Sequence, residues 1–141
     1  MSFLRPAATL PLTLLLLIGC SSGPHIVPVK GVATRGGQPV KGLLLTFSPE
    51  GDGRPSTGQT DEQGRFELKF DKDTKGALVG KHKVAVTFRP RNPGEAAEFA
   101  EGRIKLHPDQ DVILEKFGNR DTTTLSVDIT DSAKGIELKL D

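Results

Sequence analysis

Tryptophan and tyrosine are absent from the 141-residue chain, and cysteine occurs once. A single cysteine forbids any disulfide within the chain, so the fold rests on its apolar core alone. Without Trp or Tyr, the usual stacking platforms for neutral sugars and single-stranded nucleic acid are missing, and seven Phe supply all the aromatic area. Charge of either sign is not in excess. Nineteen Lys and Arg face eighteen Asp and Glu, a formal net charge of +1, and no basic stripe marks any segment. Nucleic acid is therefore not an expected partner. No apolar run is long enough to span a bilayer, which takes roughly 20 residues. The longest, Leu10 to Ile18, is interrupted by Pro11 and Thr13. Phosphate-cradling glycine loops are absent as well: Gly51-Asp52-Gly53-Arg54-Pro55 reads as a loop tip.

What the N-terminus does have is Cys20 directly after Leu17-Ile18-Gly19, at the end of that short apolar run. The arrangement resembles the lipobox of bacterial lipoproteins. Such a resemblance implies that the thiol receives a diacylglycerol and that the signal peptide is cut between Gly19 and Cys20. Two other readings fit the residues: a cleaved secretory peptide that leaves a free thiol, and a soluble N-terminus. A free thiol is an awkward product in an oxidising compartment, which favours lipidation. The expected organisation is a signal peptide at 1–19, a lipidated tether at 20–28 and one domain at 29–141. Several acyl chains make a stable anchor, since each buried methylene contributes ~0.8 kcal/mol. Ser21 is compatible with delivery to an outer membrane, so the expected location is the bacterial cell envelope, at an outer membrane or a periplasmic face. The tether from Ser21 to Pro28 reaches about 25 Å at most, at ~3.3 Å per residue. Removing Met1 to Gly19 removes Arg5 and leaves the charges balanced.

From Val29 onward, period-two alternation dominates. Val29, Gly31 and Ala33 share one face of a first strand; Leu43, Leu45 and Phe47 follow on a second that Pro49 ends. Ser56 to Thr60 reads as a short polar edge strand, and Asp61-Glu62-Gln63-Gly64 as a tight hairpin turn. Phe66, Leu68 and Phe70, then Val84, Val86 and Phe88, then Leu125, Val127 and Ile129, then Ile136, Leu138 and Leu140 repeat the pattern. Alternation on this many segments predicts half-buried antiparallel strands. Helical periodicity appears only from Gly94 to Gly102. With so little helix to cover a sheet, two sheets packed face to face are the expected solution: an all-β, antiparallel β-sandwich.

Val29-Lys30-Gly31, Gly37-Gln38-Pro39-Val40-Lys41-Gly42, Leu45-Thr46-Phe47 and Thr60-Asp61-Glu62-Gln63-Gly64-Arg65-Phe66 together resemble the carboxypeptidase regulatory-like family. The segment Ile113 to Asn119 with Thr122 to Leu125 is similar to small lipoproteins of planctomycete-type bacteria. The resemblance covers most of Val29 to Asp141 and implies a transthyretin-like (prealbumin-type) sandwich of about seven strands. It also implies adhesion, scaffolding or binding rather than catalysis. Arg35 departs from the family pattern, where an apolar residue is usual, and suggests a more solvated first hairpin. The chain ends Leu138-Lys139-Leu140-Asp141, unlike the Tyr-Arg-Gly-Ser ending of the purine-degrading hydrolase on this fold. Having no tyrosine, it also departs from the intradiol dioxygenases, which bind iron through Tyr and His.

His25, His82 and His107 show no metal-ligand spacing and read as solvated surface residues. Asp71-Lys72-Asp73 and Asp109-Gln110-Asp111 each place two carboxylates on one side of an extended segment, as a Ca²⁺ site would use. Solvated turn aspartates are the plainer reading. A lysine–carboxylate cross-link between Lys30 and Asp141 is conceivable, but no catalytic acid is apparent. No nucleophilic triad, cofactor site or metal centre emerges, and an enzyme is not expected.

The connection from Arg89 to Asn119 exceeds what a sandwich needs. Connections beyond ~12–15 residues are usually functional or disordered. It reads as a spacer or as a partner-contacting arm, with Phe99, Arg103, Lys116 and Phe117 as its expected contact residues. The functional expectation is a membrane-anchored, non-enzymatic lipoprotein serving as an envelope structural or protein/glycan-interaction module. A small-ligand or Ca²⁺-binding lipoprotein is the alternative, and a hydrolase the third.

Overall fold

A computed structural model describes residues 23–90, 92–104, 106, 108–131 and 134–141. Within these lie strands β1 (Ile26–Val27), β2 (Lys30–Arg35), β3 (Gln38–Pro39), β4 (Leu43–Pro49), β5 (Ser56–Gln59), β6 (Arg65–Glu67), β7 (Ala77–Leu78) and β8 (Gly80–Phe88). Helices α1 (Pro93–Ala100) and α2 (Pro108–Phe117) follow, then β9 (Ser126–Ile129) and β10 (Lys134–Lys139). No helix among the described residues is long and apolar enough to cross a membrane.

One four-stranded sheet runs β5-β4-β8-β9 and is antiparallel throughout. A second centres on β2, which pairs with β10 on one edge and with β3 and β6 antiparallel. A two-stranded ribbon, β1-β7, ties the start of the domain to the turn before β8. The two larger sheets enclose one core in the manner of a β-sandwich. Leu43, Leu45, Phe47, Val84, Val86 and Ile129 come from one sheet, and Val29, Ala33, Phe66, Leu138 and Leu140 from the side of the other. The alternation read in the sequence is what fills this core. On β4, Leu43, Leu45 and Phe47 are fully buried while Leu44 and Thr46 are half-buried on the opposite face.

Four sequence expectations need correction. First, the sandwich is not wholly antiparallel: β10 lies parallel to β2, with Ile136 beside Gly31 and Leu138 beside Ala33. The chain leaves one sheet after β9 and reaches the other, so β10 need not reverse beside its predecessor. The approach is close enough to require glycine, because a Cβ on Gly31 would lie 2.3 Å from the Ile136 carbonyl oxygen and 2.6 Å from Phe66 Cζ.

Second, Asp61 to Gly64 does not close an ordinary hairpin. The Asp61 carboxylate accepts the amides of Gln63 and Arg65, both at 2.9 Å, and Gly64 takes φ +70°. Beyond the turn the strands part. Arg65 to Glu67 pairs with β2 in the other sheet, and backbone pairing with the β5 strand resumes only at a bridge between Thr57 and Lys69.

Third, strand pairing starts before the expected domain boundary at Val29. Ile26 and Val27 already pair with Leu78 and Ala77, so the domain begins at Ile26.

Fourth, the 89–119 connection carries two helices rather than one, and Asp109-Gln110-Asp111 is helical rather than extended. Pro108 opens α2, Asp109 and Asp111 sit in its first turn and Lys116 in its last, an arrangement that suits the helix dipole. Ile113 and Phe117, four residues apart, fall on one face and are buried in the shared core. The helix packs on β8, whose edge β9 covers only from Gly80 to Lys83. Further along, the Thr123 hydroxyl caps the Val84 carbonyl at 2.9 Å. Arg35 pins the other end of α2, donating to the Asp109 carbonyl at 3.0 Å with its Nε 3.7 Å from the carboxylate. Arg35 thus serves a helix, and Gly36 to Pro39 of the first hairpin are exposed, as expected.

Candidate functional site

The sheet geometry gives the domain two poles. At one, the His25 carbonyl accepts the Val79 amide at 3.0 Å, just before β8 begins at Gly80. His25 itself is exposed and pairs with Asp131 at 2.8 Å. The chain preceding the domain arrives here. At the other pole β8 ends at Phe88, roughly 25–30 Å away at about 3.3 Å per residue.

That far pole carries a cleft of about 420 Å³ between the start of β4, the end of β5 and the α1–α2 segment. Phe88, Ile104 and Leu106 provide its apolar lining, with Gln59, Thr60 and Gln110 among its polar groups. Its Lys41 and Glu62 neutralise one another at 3.0 Å, and Gln110 Nε2 donates to the Lys41 carbonyl at 3.0 Å. Asp61 is likewise engaged, by Arg65 Nε at 3.1 Å. Desolvation pushes the Asp61 carboxyl up, but the Arg65 and Gln63 amides and the Arg65 guanidinium outweigh it and hold it below the usual carboxylate range.

A smaller groove of about 280 Å³ adjoins the cleft along the β5 flank, sharing Gln59 and Arg89 with it. Leu44, Thr57, Gly58, Glu67 and Lys69 complete its lining. Glu67 sits between two lysines, 3.1 Å from Lys75 Nζ and 3.5 Å from Lys30 Nζ. The hydrogen bond from Lys75, aided by the Lys30 charge, holds its carboxyl low against desolvation.

The expected contact residues do not form one surface. Phe99 is 38% exposed and rests its ring on Phe88, centroids 4.8 Å apart, at the cleft pole. Arg103 pairs with Glu101 at 2.6 Å. Lys116 bonds the Asp141 carbonyl and lies 5.2 Å from the centre of the Phe117 ring. Phe117 is only 3% exposed and belongs to the core, which removes it from any contact surface. Gly19, Cys20 and His107 lie outside the described residues.

His82 also departs from its expected place at the surface. It occupies an inward position of β8, fully buried, with Nδ1 3.0 Å from the Gly80 carbonyl and its ring beside Phe47. Its spacing of two from Val84 already implied this. Lys30 and Asp141 engage different groups, Glu67 for the first and the Gly36 amide at 2.6 Å for the second. Asp71 spends its carboxylate on the Asp73 and Thr74 amides at 2.9 and 2.7 Å, and those bonds lower its pKa. Among the described residues no group of three or more His, Cys, Asp or Glu is placed to hold a metal ion.

Neither the flank groove nor the cleft was readable as a site in the sequence, because Lys41, Gln59, Arg89 and Ile104 meet only once the sheet is assembled. No family model, curated protein or solved structure matches the chain.

Proposed function

We propose that the protein is a lipid-anchored, non-enzymatic lipoprotein of the bacterial cell envelope, with an interaction module that presents its cleft pole away from the membrane. In this reading the domain is a transthyretin-like sandwich and Cys20 carries the lipid. The observation that supports it is the separation of the poles. The chain enters beside Val79, while Phe88 and Arg89 line the cleft at the opposite end of β8. From Cys20 to Ile26 the chain spans roughly 20 Å when extended, so the anchored pole stays at the bilayer and the cleft faces outward.

The test pairs cell fractionation with site-specific photo-cross-linking. Cys20→Ser should move the protein from the membrane to the soluble fraction. A photoreactive side chain at Glu62 should capture an envelope component, while one at Val79 should label lipid. Membrane retention of the Cys20→Ser protein would refute the anchor, and identical capture from both positions would refute the orientation.

A small-ligand lipoprotein is the second reading, favoured by the volume and apolar lining of the cleft. It would show as saturable chemical shifts confined to Phe88, Ile104 and Leu106 on titration with a fragment library.

A further inference from the structure

We propose that the β5–β6 flank, built by Lys30, Lys69, Lys75 and Arg89 around Glu67, binds an acidic polysaccharide chain of the envelope. The inference rests on the envelope reading above and names the partner class.

The lining of the groove holds two cations, Lys69 and Arg89, and one carboxylate, Glu67, which two further lysines, Lys30 and Lys75, approach. Glu67 is shared by Lys30 and Lys75, so it cannot offset both. Lys69 and Arg89 line the adjoining groove and have no ion-pair partner among the described residues. Lys69 also stands directly opposite Lys75 in an antiparallel bridge. Like charges facing one another across strands are destabilising; Glu67 answers Lys75, while Lys69 is left without a counter-charge among the described residues.

The groove's other side chains suit a sugar. Thr57 and Gln59 offer hydrogen-bonding groups to hydroxyls, and Leu44 offers a small apolar contact. Neutral glycans are usually held by stacking on Trp or Tyr, which this chain lacks, so charge must provide the recognition. Position argues against lipid headgroups as the anion. Thr57 lies opposite Thr46, which in turn faces Ala85 midway along β8, and Arg89 lies at the end remote from the tether. A polymer lying along the flank can reach Lys75, Lys69 and Arg89 in turn; a bilayer surface at the tethered pole cannot.

The test uses the full-length lipidated protein in neutral detergent and a fluorescein-labelled oligogalacturonate as probe, read by anisotropy. Binding should be saturable and should weaken steeply between about 50 and 200 mM salt. The Lys69→Glu/Arg89→Glu pair should raise Kd at least about tenfold, as expected when two charge-assisted contacts turn repulsive. Lys139→Glu, the same kind of charge change on β10, should move Kd by less than about twofold. Glu67→Gln frees two lysines and should tighten binding, a gain that misfolding cannot mimic. Equal binding of neutral dextran, equal effects of the Lys69/Arg89 and Lys139 variants, or no binding would overturn the inference. Preference for duplex DNA or for phosphatidylglycerol vesicles over the oligogalacturonate would overturn it in favour of that partner. Any of these outcomes leaves the anchor intact if Cys20→Ser still releases the protein from the membrane, so the two readings fail separately.

Discussion

Phe117 and Phe99 both sit in the long connection after β8, and truncating each to alanine separates a core role from a surface role. Phe117 is 3% exposed, held between α2 and the sheets. Removing its ring forfeits about 1.5–3 kcal/mol of transfer free energy. The space left, roughly 80–100 Å³ before relaxation, adds about 2 kcal/mol at ~24 cal/mol per Å³. Phe117→Ala should therefore lower unfolding free energy by about 3–5 kcal/mol, which for a domain of this size is a Tm drop of about 10–20 °C. Phe99 is 38% exposed, and α1 buries none of its residues. Its loss removes mainly the ring contact with Phe88, about 0.5–1.5 kcal/mol. Urea unfolding followed by circular dichroism measures both variants against the parent, with a common m-value as the check that only stability has changed. A Phe117→Ala cost below about 1 kcal/mol, or one no larger than that of Phe99→Ala, would refute the placement of α2 in the core.

Gly31→Ala should be among the most damaging single-methyl changes in the chain, costing about 1–3 kcal/mol or preventing folding, because the Ile136 carbonyl oxygen it would strike is strand backbone; thermal unfolding of Gly31→Ala beside Gly23→Ala, where nothing lies within reach, gives the comparison. Arg35→Ala should cost about 1–2 kcal/mol by removing a charged donor from the Asp109 carbonyl, and amide exchange should rise first in α2. Asp61, Glu67 and Asp71 are all held below the ordinary carboxylate range, so each favours the folded state only while ionised. The stability they add is complete above about pH 4, where they titrate in the unfolded chain, and is lost as pH falls through their lower folded values. Asp71→Asn should accordingly lower the urea midpoint at about pH 7 and change it little at about pH 2; an equal loss at both would refute the electrostatic origin.

Much of the sandwich was legible because period two is a local signal. Leu43, Leu45 and Phe47 needed no knowledge of their neighbours to be assigned to one face, and burial places them there. Helix α1 was legible for a similar reason, an Ala- and Glu-rich run bounded by Pro93 and Gly102. Helix α2 was missed although its signals were present. Pro108, the two first-turn aspartates, the spacing of Ile113 and Phe117, and Gly118 together mark a short helix. Its apolar face is only two or three residues wide, too narrow to dominate a periodicity count, yet sufficient because β9 leaves half of the β8 edge uncovered. The parallel β10 was beyond local reading, since alternation records which face is wet and carries no strand direction.

The same distinction between local and assembled signals governs the functional surfaces. Lys30, Lys69, Lys75 and Arg89 stand on three segments, β2, the connection between β6 and β7, and the residue after β8, so no short window of sequence contains all four. They converge because the strands part after Gly64: β6 leaves β5 to pair with β2, which sets Glu67 beside Lys30 and turns Lys69 back onto Thr57. An ordinary hairpin would have kept β6 on the β5 edge and left Lys30 on the other sheet without its partner. The turn at Asp61, the strongest motif in the sequence, therefore does more than reverse the chain. By handing the strand from one sheet to the other, it opens the groove between Gln59 and Lys69 and gathers the charges that line it.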